Sequence, residues 1–104
     1  MGISSYHDEA ARKIVIKVRG RFDFQLHREF RAAYEGIMGA KRYVVDLRQA
    51  TFVDSTALGM LLLLRDHAGG DRLAVSITAG SPALNTLKLA GFEALFSVLA
   101  DDAS

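Results

Sequence analysis

Three residues stand where side-chain chemistry is most concentrated: Asp54, Ser55 and Thr56, an acid and two hydroxyls directly ahead of the leucine run in FVDSTALGMLLLLR, residues 52–65. All three types are favoured helix N-caps, because a short oxygen-bearing side chain accepts a hydrogen bond from an unpaired N–H of the first turn. Capping alone therefore explains the triplet most simply, with a hydroxyl that does chemistry as the sharper reading. Nucleophilic catalysis finds little support. Ser55 has no G-x-S-x-G elbow, and His7, His27 and His67 are scattered over expected turns and helix exteriors. Those histidines also lack metal-ligand spacing. Gly69-Gly70 lacks the Lys and further Gly of a phosphate loop and reads as a turn, and no GxGxxG occurs. The expectation is a protein that is not an enzyme and needs no cofactor or metal.

The elements around the triplet follow from periodicity. KIVIKV, residues 13–18, alternates as a half-buried strand and stops at Gly20; residues 3–7 pair with it through a turn over Asp8 to Arg12. From Asp23, an expected N-cap, the period becomes helical: Leu26, Phe30, Ala33, Tyr34, Ile37 and Met38 form the apolar face, and Gly39 stops the helix. RYVVDL, residues 42–47, reads as a strand buried on both faces. The quoted stretch then gives a loop and a helix to about His67. LAVSI, residues 73–77, is a further strand; Ser81 and Pro82 open a helix that Gly91 ends; LFSVL, residues 95–99, is a last strand before a frayed ADDAS tail. Strands separated by helices are normally joined by crossovers. The fold class is therefore α/β, a mixed, largely parallel sheet of four to five strands with about three helices, in a single domain over residues 1–104. In such sheets ligands and partners meet the strand ends that lead into helices, and residues 48–56 form that kind of loop.

The leucine helix carries a second signal. Leu58, Leu61 and Leu62 lie along one face and Met60, Leu63 and Leu64 along nearly the opposite one, and a single sheet cannot cover both. Burial between the sheet and a neighbouring helix accounts for this; so does a contact surface that begins beside Thr56 and Met60.

Composition narrows the classes. The chain has 104 residues, half of them hydrophobic, a single Pro and no Cys, which suits one core without staples in a reducing compartment, the cytoplasm by default. Its longest apolar run, Leu58 to Leu64, falls far short of the roughly 20 residues that cross a bilayer, and MGISSYHDEAARK has no signal-peptide pattern. Net charge is +1, with Arg21, Arg42, Arg48, Arg65 and Arg72 dispersed among acids as a solvated surface, so neither nucleic acid nor lipid is an expected partner.

Taken together, GRFD at 20–23, VVDL at 44–47, FVDSTALG at 52–59 and SPALNTLKLAGFEALF at 81–96 resemble the STAS domain family, the anti-sigma factor antagonists, in order over nearly the whole chain. The resemblance implies a phosphorylation-switched binding module. Unphosphorylated, it would hold an anti-sigma factor that is a Ser/Thr kinase of histidine-kinase-type ATPase fold, and so release a sigma factor; a PP2C-type phosphatase would reset it. By position the acceptor corresponds to Ser55, with Thr56 in reserve, and Arg21, Asp23, Asp54, Ser55, Thr56, Ala57 and Met60 correspond to the partner surface. Two positions depart from the pattern: Arg21 where an acid is frequent, which implies a different partner charge, and Ala57 where Gly is frequent. Little sequence follows the last strand for the terminal helix that many members carry. Two alternatives stand beside this reading, a STAS adaptor of a membrane-associated transport or sensory complex and a small nucleotide-binding α/β protein.

Overall fold

A computed structural model describes residues 2–100. From Asp101 onward the expected frayed tail lies outside the described residues; Ala100 itself closes the last strand. Five strands, β1 (Gly2–Asp8), β2 (Lys13–Phe22), β3 (Arg42–Val53), β4 (Val75–Ala79) and β5 (Ser97–Ala100), alternate with helices α1 (His27–Ala32), α2 (Ser55–His67) and α3 (Ala83–Leu89) after an initial hairpin. The strands lie in the sheet in chain order; β1 is antiparallel to β2 and every other pair is parallel.

That order fixes where the helices go. Each crossover moves one strand further in the same direction, and right-handed crossovers then place all three helices on one face of the sheet. The core forms there, from Ile14, Ile16, Val18, Val45, Leu47, Val75, Ile77 and Ala79 of the strands and Phe30, Leu61, Leu64 and Leu87 of the helices, all buried. The opposite face carries no helix. β3 is accordingly not buried on both faces as its run of apolar residues suggests: Tyr43, Val45 and Leu47 are buried, whereas Val44 and Asp46 between them are only half-buried.

Several boundaries differ from the periodic expectation, most of all that of β3, which runs on to Val53 and takes up most of the expected loop over 48–56. β2 does not stop at Gly20 but continues to Phe22. Gly20 takes a positive φ of 81°, open to a residue without Cβ, and the register slips where β3 inserts extra residues between Lys17 and Arg19 and between Gly20 and Arg21. α1 is shorter than its apolar pattern: the chain passes into turns after Ala32, leaving Ile37 half-buried and Met38 exposed. β4 begins two residues late, because the Asp71 carboxylate accepts the Leu73 N–H at 2.9 Å and its carbonyl the Ala74 N–H at 3.1 Å, which holds Leu73 in a turn. β5 is delayed likewise by a 3₁₀ turn over Phe92–Ala94.

Candidate functional site

The site is built where β2 and β3 end side by side. Phe22 pairs with Val53, both inward-facing and buried, and the Phe22 carbonyl accepts the Asp54 N–H at 3.5 Å. Both strands then turn into helical structure through an acid. Asp23 caps the 3₁₀ turn Phe24–Leu26 by accepting the Gln25 N–H at 3.0 Å, rather than opening a long helix directly. Asp54, in extended backbone with φ −107°, caps α2 by accepting the Ala57 N–H at 2.9 Å. Two carboxylates, each held against a helical N-terminus, thus mark one edge of the sheet.

The two hydroxyls differ in state. Thr56 donates its hydroxyl to Asp54 Oδ1 at 2.6 Å, while Ser55, first residue of α2, is exposed and makes no side-chain hydrogen bond among the described residues. Desolvation pushes the Asp54 carboxyl upward, but the Thr56 hydroxyl, the Ala57 N–H and the charge of Arg21 outweigh it and hold the group below the ordinary aspartate value. Asp54 is therefore an anion at neutral pH, engaged as a cap and not available as a strong base.

The remaining expected residues divide. Arg21 lies on the outward side of β2, 3.4 Å from the Asp23 carboxylate, with its guanidinium 4.1 Å over the Phe52 ring. Ala57 is wholly buried and packs the helix onto the core. Met60 is buried as well, which corrects its expected place on a contact surface. The inward stripe of α2 is Ala57, Met60, Leu61 and Leu64, spaced i, i+3, i+4, i+7. It cuts across the two expected apolar faces, taking residues from each. Of their other members, Leu58 is half-buried against the core, and Leu62 and Leu63 are 40% and 60% exposed. The outward stripe of α2 thus begins at Ser55 and runs through Leu58 and Gly59 to Leu62 and Leu63.

Two exposed aromatic side chains at the same edge were not anticipated. Phe24 is 61% exposed and stacks on His27 with ring centroids 4.2 Å apart; Phe52 is 38% exposed beneath Arg21. Strand alternation contains the signal for Phe52, since an inward Val53 turns Phe52 outward. No such signal marks Phe24. Among the described residues no group of three or more His, Asp or Glu is placed to hold a metal ion, and no helix is long and apolar enough to cross a membrane.

The DSTALG segment thus opens the helix after a central parallel strand, and residues 6–99 match the family described as Mlab, STAS domain. The chain belongs to the STAS domain family. It is 47% identical over 100 residues to the STAS-domain containing protein PA14_20770 of Pseudomonas aeruginosa (strain UCBPP-PA14), covering 94% of this chain and 99% of that protein. Its fold matches that of the anti-sigma factor antagonist SpoIIAA in its unphosphorylated form, with a TM-score of 0.66 and 17% identity over 99% of this chain and 90% of the other. It also matches a sulfate transporter family protein from Wolinella succinogenes, with a TM-score of 0.67 and 17% identity over 85% and 76% of the two chains.

Proposed function

We propose that this STAS domain is a cytoplasmic anti-sigma factor antagonist switched at Ser55. With the hydroxyl free it sequesters an anti-sigma factor that is also a Ser/Thr kinase of histidine-kinase-type ATPase fold, which releases a sigma factor. The kinase supplies all the catalysis: Ser55 Oγ forms a bond to the γ-phosphorus of ATP, ADP leaves, and the hydroxyl proton is lost. A PP2C-type phosphatase then returns the hydroxyl by hydrolysis.

The observation that carries this reading is the difference between Ser55 and Thr56. Ser55 stands exposed at the head of the outward stripe of α2, with no side-chain hydrogen bond among the described residues, while the neighbouring Thr56 hydroxyl is tied to Asp54. A phosphate at that place adds about −1.5 to −2 charges, and free N–H groups of a helix start tolerate it without unfolding the domain. A partner closing over Ser55, Leu58 and Leu62 has to desolvate that dianion beside the Asp54 carboxylate. If the mismatch costs on the order of 4 kcal/mol, affinity falls about a thousandfold, enough to end the complex.

Incubating the protein with its cognate kinase, ATP and Mg²⁺ and mapping the phosphopeptides tests the assignment. Label on Ser55 supports it; label confined to Thr56, or absent from both hydroxyls with an active kinase, removes it. Calorimetric titration should find tight binding for Ser55→Ala and weak binding for Ser55→Asp.

A second reading is favoured by the family description and by the transporter-family structure: an adaptor that docks the same surface on a transport complex without phosphorylation. Purification of the native protein with its bound partner separates the two, a kinase supporting the first and a transport subunit the second.

A further inference from the structure

The helix-free face of the sheet has an unusual distribution of charge. Lys13, Val15, Lys17, Arg19 and Arg21 alternate along β2 with the buried Ile14, Ile16, Val18 and Phe22, so four cations of one strand point away from the core. The expected dispersal of basic residues does not hold here. Neighbouring strands offset them only in part. Asp8 stands across from Lys13, Asp46 across from Lys17, and Asp23 takes Arg21; Arg19 lies between Gly2 of β1 and Gln49 of β3, neither of which bears charge. Asp46 is itself held by Arg48 through a hydrogen bond of 2.8 Å, the main cause of its depressed carboxyl pKa. Among the described residues, the shallow depression lined by Lys17, Val18, Arg19, Asp46, Arg48 and Gln49 thus has three cations and one acid, in a chain whose net charge is only +1.

Parallel strands are ordinarily covered on both faces, and this face is chemically furnished rather than merely bare. A second depression of about 380 Å³ on the same face shares Lys17, Asp46 and Arg48 with the first and is otherwise walled by Tyr6, Lys13, Val15, Val44 and Thr78. The outward residues of the other strands near Lys17, namely Ser4, Thr78 and Ser76, bear hydroxyls able to donate to a carboxylate.

We propose that the outer face of β2 and β3 binds an acidic, extended segment of a partner protein, with Lys17 and Arg19 as its principal contacts. This surface meets the Ser55 edge only through Arg21, and with its principal contacts at Lys17 and Arg19 it stands whether or not the phosphorylation reading does. Carboxylates match this face better than the other polyanions. Single-stranded nucleic acid uses a succession of exposed aromatic rings on which bases stack; the depression here offers one ring, Tyr6, beside Val15 and Val44, and Phe52 lies under Arg21. A lipid surface calls for a contiguous apolar wedge, whereas Tyr6 and Leu99 sit on opposite edge strands. Lys13 to Arg21 spans about 25 Å, the length of roughly eight extended residues.

Fluorescence anisotropy with the full chain and a labelled peptide of about eight alternating Asp and Glu residues provides the test. The expected result is saturable binding that weakens as salt is raised, is lowered roughly tenfold or more by Lys17→Glu combined with Arg19→Glu, and is unchanged by Lys88→Glu on the exposed side of α3. Lys17→Gln with Arg19→Gln should give an intermediate loss, with thermal melts like the parent's for both pairs. The proposal is overturned if the double reversal binds like the parent, if Lys88→Glu weakens binding as much, or if single-stranded RNA of equal charge or anionic vesicles bind more tightly than the peptide.

Discussion

Asp54 Oδ1 accepts two hydrogen bonds at once, from the Thr56 hydroxyl at 2.6 Å and the Ala57 N–H at 2.9 Å, and the side chain between these donors in sequence, Ser55, joins neither. The acid and the threonine thus form the structural start of α2, and the serine is free for another use.

That division has a measurable consequence for stability. Asp54→Ala removes the cap and should lower stability by about 1 kcal/mol, which for a domain of this size is a fall in Tm of about 4–8 °C. Ser55→Ala should stay within about 0.5 kcal/mol of the parent. Thermal melts of the two variants decide the matter; an equal loss from Ser55→Ala would make the serine part of the cap.

The depressed carboxyl of Asp54 sets a pH dependence. Its folded pKa lies below the unfolded value, so its contribution is complete above the ordinary aspartate range, about 4, and is lost as pH falls through the folded value. Asn is an equally good N-cap but does not titrate. Asp54→Asn should therefore match the parent near neutrality and lose less stability on acidification. Denaturant melts at several pH values check this, and parallel acid limbs for the two proteins would assign the acid sensitivity elsewhere, Asp46 with its Arg48 partner being the next group to examine.

Arg21 joins the two surfaces, since it faces outward on β2 and also lies against Phe52 at the Ser55 edge. Its pairing with Asp23 is solvent-exposed, and such pairs contribute about 1 kcal/mol or less. Arg21→Ala should leave the melt nearly unchanged while slowing association with an acidic partner and flattening its salt dependence. Stopped-flow association at two ionic strengths reads this directly; an unchanged rate at both places Arg21 outside the contact.

Most of the architecture was legible in the sequence because it rests on local rules. The alternation of KIVIKV and the order of strands and helices carry the α/β class, and the Asp-Ser-Thr triplet ahead of a leucine run marks the start of α2. What the sequence concealed depends on which face meets which layer. A short apolar strand such as RYVVDL has the same composition whether one side or both are covered, and only the one-way succession of crossovers leaves the outer side open. The inward direction of α2 was hidden for the same reason, because leucines surround the helix and the buried stripe is chosen by the sheet beneath it. Turn chemistry explains the late starts of β4 and β5, where backbone hydrogen bonds at Asp71 and Phe92 prevail over the hydrophobicity of Leu73 and Leu95.

The two faces of α2 give the sharpest test of where a partner docks. Met60 is 7% exposed on the inward stripe, so Met60→Lys buries an unpaired ammonium among apolar side chains and should destabilise the fold by several kcal/mol, as Leu61→Lys should too. Leu63, 60% exposed on the outward stripe, can take a lysine whose charge stays in water, with a change of about 0.5 kcal/mol or less. If the outward stripe meets the partner, Leu62→Lys and Leu63→Lys should lower pull-down yield while melting near the parent temperature, since a charge in an apolar contact has to be desolvated there. Full pull-down yield from both leucine variants would confine the contact to the edge formed by Phe24, Phe52 and Ser55, where Phe24→Ala and Phe52→Ala become the informative changes.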